Sequence, residues 1–329
     1  MSARAQFPAA GGAGSRIDAV VIGRNEGARL LACLKALSGQ VRRVVYVDSG
    51  STDGSADAAR AAGAEVVTLD PTQPFTAARA RNAGLQRLAD DPPELVQFID
   101  GDCELREGWI DTAIAFLDAT PRAAVVCGRR RERFPEASAY NALCDAEWDT
   151  PLGPALACGG DALMRYDPLA AQRGYRAELI AGEEPELCLR LRAAGWQVWR
   201  IDAEMTLHDA AMTRFAQWWR RSERAGYSFA EAATRFTDNG RPFRLREYRR
   251  ALGWGLMLPL AVLLATLALH PGALALLLAY PVQVIRLAPR LGWLAAFFNT
   301  LGKLPESLGA LRFHWRRMMG KQPRLIEYK

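Results

Sequence analysis

No two of the six cysteines, at positions 33, 103, 127, 144, 158 and 188, have the CxxC spacing, which argues against a zinc cluster and against the dense disulfide framework of small secreted domains. Reduced thiols, as in cytosol, are expected. The opening stretch MSARAQFPAAGGAGSR lacks the apolar run of ~7–15 residues that a secretory signal needs, so residues 1–16 read as a flexible leader and the following region is not expected to be secreted. There is no internal repeat, and no long linker before about residue 250. The most telling absence is charge: residues 251–285, 35 in a row, contain no Asp, Glu, Lys or Arg. What is present is the composition of a folded protein, 329 residues with 50% apolar, 24% charged and 9% aromatic side chains, long enough for about two domains.

The net charge of +6 comes from 42 basic and 36 acidic residues and is distributed unevenly. Residues 1–213 hold 23 basic and 30 acidic groups, a balance of −7, whereas 214–329 hold 19 and 6, a balance of +13. A basic half can suit nucleic acid, but here the excess flanks the uncharged apolar run, which points to anionic lipid and makes a nucleic-acid partner unexpected.

From Ile17 onward, short β-branched runs alternate with helical patterns: IDAVVI, a helix near 26–38, RRVVYV, a helix near 55–62, AEVVTL, a helix over 76–89, then LVQFI. This alternation predicts βαβ units and an α/β fold with a mostly parallel sheet. Parallel sheets present ligand sites at the carboxyl ends of their strands. Two such ends carry acids and small residues, Asp48-Ser-Gly-Ser-Thr-Asp53 and Asp100-Gly-Asp102, and both belong on one rim. Residues 129–180, with the basic cluster Arg129–Arg133 and Gly/Pro-rich pieces, read as loops around a site. The helix at 184–194 is expected to cap at Gly195.

Asp100 and Asp102 on a tight turn can share a hard divalent cation with diphosphate oxygens, or Asp100 can reach a ribose hydroxyl. As turn residues they can equally be solvated acids. Asp48 can accept from a nucleobase or ribose, whereas Asp53 on its own reads better as a helix cap. Glu183, Glu184 and Glu186 open the next helix, where acids suit the macrodipole. That explains Glu186 but does not require both of the others, and either Glu183 or Glu184 can serve as a base toward an attacking hydroxyl.

Taken in order, VVIGRNEGARLLACLKAL, VDSGSTDGS, ARNAGL, FIDGDCEL, CGGDALMR and AGEEPELCLRLRAAGW resemble the family 2 glycosyltransferases of the GT-A fold, over residues 17–232. The resemblance implies a Rossmann-like sheet with flanking helices and a nucleotide-sugar donor. It places Asp48, Asp53, Arg81 and Asp100 at the donor, and Asp102, Asp100 and His208 at a divalent cation, Mn2+ or Mg2+. Glu184 then takes the place of the family's base, usually the Asp of a Glu-Asp pair, with Glu183 as the alternative. It further implies an inverting displacement at the anomeric carbon. Gln217-Trp218-Trp219-Arg220-Arg221 partly resembles the Gln-x-x-Arg-Trp motif of membrane polysaccharide synthases, with Arg221 in the place of Trp.

The uncharged run breaks at His270-Pro271-Gly272, which predicts an apolar helical hairpin over 251–285, spanning or re-entrant, with arginines at both ends held on the cytoplasmic side. The expected organisation is a leader (1–16), a transferase domain (17–232) and a basic membrane segment with an amphipathic tail (233–329). The expected activity is transfer of one sugar to a membrane-proximal, lipid-linked or other acceptor hydroxyl at the cytoplasmic membrane. At most two spanning helices argue against processive polymer synthesis. The rival reading is a catalytically silent nucleotide-sugar-binding scaffold.

Overall fold

The computed structural model describes residues 16–320. Residues 1–15 of the leader expected over 1–16, and the last part of the basic tail, 321–329, lie outside the described residues. The described residues divide into two compact units: 16–135, 144–179 and 183–211 form the first, and 136–143, 180–182 and 212–320 the second.

The first unit begins with the alternation expected from sequence: β1 (Ile17–Gly23), α1 (Ala28–Leu37), β2 (Arg43–Asp48), α2 (Ser55–Ala61), β3 (Glu65–Thr68), α3 (Ala77–Leu88) and β4 (Leu95–Asp100). These strands pair in parallel in the order β3-β2-β1-β4. Residues 17–21 of β1 are wholly buried, as a central parallel strand covered by helices on both faces must be. Asp18 is an acid within this core, and it is held by the guanidiniums of Arg42 and Arg43 at 2.7–2.9 Å. Arg16, inside the predicted leader, is anchored to Glu94 and Asp118.

Beyond β4 come β5 (Cys103–Leu105), α4 (Trp109–Ala119), β6 (Ala123–Glu132), α5 (Ala139–Trp148), β7 (Gly153–Pro154), β8 (Ala162–Arg165), α6 (Tyr166–Ala171), α7 (Glu183–Ala193) and β9 (Gln197–His208). The sheet continues β4-β8-β6-β9-β5. β8 runs antiparallel to both its neighbours, and β6 and β9 are parallel. The expectation of loops over 129–180 is therefore corrected. The arginines of the basic cluster extend β6, and they are tolerated in a sheet because each finds a carboxylate: Arg129 with Asp145, Arg130 with Asp161 and Asp100, and Arg131 with Glu204. The β6–β9 register shifts between Cys127 and Arg129 and again between Arg129 and Arg130. Such irregularities re-aim side chains near sites. Gly195 takes the left-handed conformation, φ 87°, that its capping role requires.

The second unit is helical: α8 (Phe215–Arg235), a small antiparallel β10 (Thr237–Asp238) and β11 (Arg241–Pro242) pair, α9 (Leu245–Leu252), α10 (Leu258–Ala268), α11 (Ala279–Leu291), α12 (Trp293–Leu301) and α13 (Lys303–Met318). A π-helical turn, Gly253–Met257, joins α9 to α10 into one 24-residue helix, Leu245–Ala268. A second helix of 21 residues, Pro271–Leu291, follows the His270-Pro271-Gly272 break. Both are long and apolar enough to cross a bilayer, and only 11% and 6% of their apolar windows are buried, so they are not a soluble core. At about 1.5 Å per residue the first rises about 36 Å, against ~30 Å of hydrocarbon. The Tyr280 hydroxyl donates to the Trp254 carbonyl at 2.6 Å, within the π turn.

Gln217 of the Gln-Trp-Trp-Arg-Arg segment accepts from the Thr213 and Arg214 amides and so caps α8, while Trp218 packs edge-on against Phe298. α8 and α13 cross at glycines. A β-carbon on Gly226 would lie 1.9 Å from the Glu306 carbonyl oxygen, and one on Gly309 would lie 1.9 Å from that of Glu223. Backbone cannot yield as a side-chain tip does, so Gly226→Ala should force the helices apart and cost about 1–3 kcal/mol, the usual scale of overpacking. Denaturant titration in detergent should read this loss, and combining it with Gly309→Ala should give less than the sum, because helices already forced apart by one methyl make room for the other.

Candidate active site

β1 is flanked by β2 and β4, with Gly23 opposite Asp48 and Ile22 opposite Asp100. The two predicted acidic turns therefore lie on one rim of the sheet, on either side of the end of β1. Asp48 is nearly fully buried, and its carboxylate accepts from the Gly50 and Ser51 amides at 3.1 and 3.0 Å and from the Tyr46 hydroxyl at 3.2 Å. The turn it shapes is latched to the loop after β1 by Asn25, whose side-chain oxygen accepts from the Thr52 amide at 2.7 Å. Asp53 accepts from the Ser55 amide at 3.0 Å, at the start of α2, and hydrogen bonding from the Ser55 side chain first, then from that amide, holds its carboxyl below the usual range.

The centre of the site is Arg81. Thr76 caps α3 by accepting from the Arg79 amide at 3.1 Å, which fixes the first turn and places Arg81 at the start of the second. From this buried position Arg81 donates to Asp100 at 3.0 Å, to Glu183 at 3.0 Å and to Glu184 at 2.8 Å. Its guanidinium lies over the Tyr175 ring, 5.5 Å from the centroid. Gly160 makes the approach possible, since a β-carbon there would sit 2.6 Å from Arg81 Nη2 and 3.0 Å from Asp100 Oδ2. Glu183 and Glu184 open α7 directly after Gly182, whose φ of +83° favours glycine. Glu186, by contrast, is held by Arg176 and Arg190 at 2.7 and 2.9 Å.

Arg130 extends the network. It donates to Asp100 Oδ2 at 2.8 Å and pairs with Asp161 at 3.1 Å. Asp161 is buried and also accepts from the Asp100 amide at 3.0 Å and the Thr206 hydroxyl at 2.7 Å. Burial opposes ionisation of Asp100, but Arg81 and Arg130 prevail and hold its carboxyl below the usual range. For Glu184 the balance reverses: burial first, then the charge of Glu183, push its carboxyl up to about 7 against the pull of Arg81. A carboxyl poised near neutrality is suited to taking a proton.

Strand pairing delivers the third group. β9 lies between β5 and β6, with Cys103 and Glu132 both in register with His208. His208 Nε2 is 3.3 Å from Asp102 Oδ2, Nδ1 is 3.5 Å from Glu132 Oε2, and the ring packs edge-on to Trp148 at 4.7 Å. Burial, then the Arg130 charge, lower the His208 pKa, so the imidazole is neutral at pH 7. Asp102, Cys103 and His208 have donor atoms within 4.8 Å of one another, as do Asp100, Cys103 and Asp161. The second group already receives Arg130. Within the first, Asp102 and His208 offer an oxygen and a neutral nitrogen 3.3 Å apart, near the ~3 Å between adjacent ligands at ~2.1 Å in octahedral geometry, whereas Cys103, whose thiol burial keeps protonated, is no ligand for a hard cation.

The structure thus unites Arg81, Asp100, Glu183 and Glu184, places Asp102 and His208 beside them through Arg130 and Cys103, and leaves Asp48 and Asp53 in the neighbouring turn. Sequence reasoning missed Arg130, Asp161 and Glu132. Only the CGGD motif hinted at Asp161, and the other two were hidden in the basic cluster.

Residues 18–152 match the family described as Glycosyl transferase family 2. The fold is similar to that of the mannosyltransferase PcManGT from Pyrobaculum calidifontis in complex with GDP-Man and Mn2+, with a TM-score of 0.65 at 20% identity over 96% of this chain and 91% of that one. It is also similar to residues 1–349 of TarS from S. aureus, with a TM-score of 0.50 at 15% identity over 94% and 93%. No curated protein matches the sequence. The fold shared with these structures is mixed α/β with a mostly parallel sheet and flanking helices, and this chain carries apolar helices toward the C-terminus.

Proposed function

From the premise that residues 18–152 form a glycosyl transferase family 2 domain, we propose that the protein transfers a sugar from a nucleotide-sugar donor to an acceptor hydroxyl at a membrane surface, with inversion at the anomeric carbon. The observation that carries this reading is the convergence of Arg81, Asp100 and Glu184, with Asp102 and His208 alongside, at the carboxyl ends of the strands. The Asp48–Asp53 turn is assigned to the base and ribose, and Arg81 and Asp100 to the diphosphate and ribose. Asp102 and His208, with Asp100 nearby, are assigned to Mn2+ or Mg2+. When bound, such a cation supplies positive charge against the departing nucleoside diphosphate.

Glu184 takes the acceptor's hydroxyl proton as the oxygen attacks the anomeric carbon and the bond to the diphosphate breaks. A single displacement from the opposite face inverts the centre, and no covalent intermediate on the protein is needed. Burial of Glu183, Asp102 and Arg81 keeps bulk water from screening these charges. The transferase domain is assigned to 17–232.

The test is a screen of nucleotide sugars by thermal shift with manganese or magnesium, followed by a transfer and hydrolysis assay on the best binder. A ligand that binds only the folded state raises the melting temperature. Binding and turnover together are expected. Binding with neither transfer nor hydrolysis for any acceptor class would make the chain a silent scaffold.

The apolar hairpin is assigned to the cytoplasmic membrane, with Arg249, Arg250, Arg286 and Arg290 on the cytoplasmic side. Arginines are costly to carry across hydrocarbon, whereas each one resting on anionic headgroups gains roughly 1 kcal/mol. Alkaline carbonate should leave the protein in the membrane pellet, and release into the supernatant would refute the assignment.

A further inference from the structure

We propose that Cys158 and Cys188 are a redox modification site, closing to a reversible disulfide that ties the loop before β8 to the helix carrying Glu183 and Glu184. Their sulfurs lie 3.7 Å apart in direct contact. The other thiols differ in their surroundings. Cys33 and Cys127 donate to the backbone carbonyls of Asp100 and Trp199, at 3.8 and 3.5 Å, and Cys103 sits 3.7 Å from Asp102 Oδ1 and 3.0 Å from Arg130 Nη2. Position gives the pair its consequence. Cys188 is one helical turn after Glu184, on the same face of α7. Cys158 is two residues before Gly160, the glycine against which Arg81 and Asp100 rest.

A disulfide brings its sulfurs to about 2.05 Å, so closure shortens the 3.7 Å sulfur gap by more than an ångström and locks the loop to the helix. A misplacement of about 1 Å in a catalytic group can cost about 10²-fold in rate. The entry point is Cys158: it is 8% exposed where Cys188 is fully buried, and the adjoining Gly159 borders open space. With a glutathione-type disulfide as oxidant, the Cys158 thiolate attacks one sulfur of the oxidant and releases one glutathione thiolate. Cys188, on losing its proton, attacks the Cys158 sulfur of the mixed disulfide and releases the second. Two electrons pass to the oxidant and both protons to solvent or the released thiols. The hydrogen bond with Cys188 first, and then burial, raise the Cys158 pKa well above that of an ordinary thiol, so this response belongs to sustained oxidation rather than to a brief pulse.

The experiment incubates the full-length protein with oxidised glutathione and reads intact mass and peptide linkage. The expected result is a loss of two hydrogens, with the peptides containing residues 158 and 188 joined, and recovery on addition of dithiothreitol. Cys188→Ser should instead retain a glutathione adduct on Cys158. In parallel, transfer should fall about 10²-fold and return on reduction. This activity arm rests on the function proposed above, whereas the mass arm does not, so failure of the two can be told apart. Absence of the 158–188 link after prolonged oxidation, or a link with no change in transfer by an active preparation, would overturn the proposal.

Discussion

Glu184→Gln is expected to leave donor binding nearly unchanged while lowering the transfer rate by about 10²–10⁴-fold, the usual scale of general-base help. The base acts on the acceptor proton in the transition state, so its loss shows in kcat rather than in donor affinity. The pH profile supplies a second reading. Burial and the neighbouring Glu183 push the Glu184 carboxyl up to about 7. Below that value it is protonated and cannot accept a proton, so the rate should rise with pH through about 7 and then level off. In Glu184→Gln that limb should vanish. Glu183→Gln removes a like charge that raises the Glu184 carboxyl, so the limb should move to lower pH with smaller loss of rate. If Glu183→Gln carries the large loss and Glu184→Gln does not, the roles within the pair are reversed.

Asp102→Asn should abolish measurable transfer with the fold intact, a loss of about 10³-fold or more. The diphosphate of a donor, brought beside Asp100, Asp102, Asp161 and Glu183, with Glu184 partly protonated near pH 7, meets more acids than the two guanidiniums of Arg81 and Arg130 offset. Such an excess of negative charge is sustained with a cation between the two sides. Asn keeps the shape of Asp but not its charge, so a titration of Mn2+ followed by the signal of the free ion should show weakened binding, while circular dichroism and melting stay close to the parent. Full activity in excess chelator would contradict the assignment.

The first half of the sheet was legible because its strands are continuous apolar runs with helical spacing between them, and burial on both faces leaves no other reading for IDAVVI or RRVVYV. Two of the acidic turns were legible for the same reason, since each follows such a strand directly. The second half was not. β6 ends in Arg-Arg-Arg-Glu, which reads as loop until the partners are known, and those partners are distant in sequence: Asp161 for Arg130, Glu204 for Arg131. The Arg81 hub was equally hidden. Its bonds to Glu183 and Glu184 join residues 102 and 103 positions apart, and no local pattern carries that information. The glycine crossing of α8 and α13 escaped notice because Gly226 and Gly309 each look, alone, like an ordinary weak point in a helix.

The interleaving of β9 between β5 and β6 has a consequence for how this site can vary over generations. His208 is in register with Cys103 on one side and Glu132 on the other, and a slip of one residue would turn it to the opposite face of the sheet. The β6–β9 ladder already carries register shifts before Arg130, but over Thr206–His208 β9 is paired on both sides, so an insertion or deletion there would break two ladders at once. Glu183 and Glu184 stand instead at the first turn of α7, after a glycine in a turn, where substitutions in the preceding loop can reshape the surroundings without touching the sheet. On the proposed assignments, the cation end would be constrained as a fixed unit by the sheet, and the base end would have more room to vary.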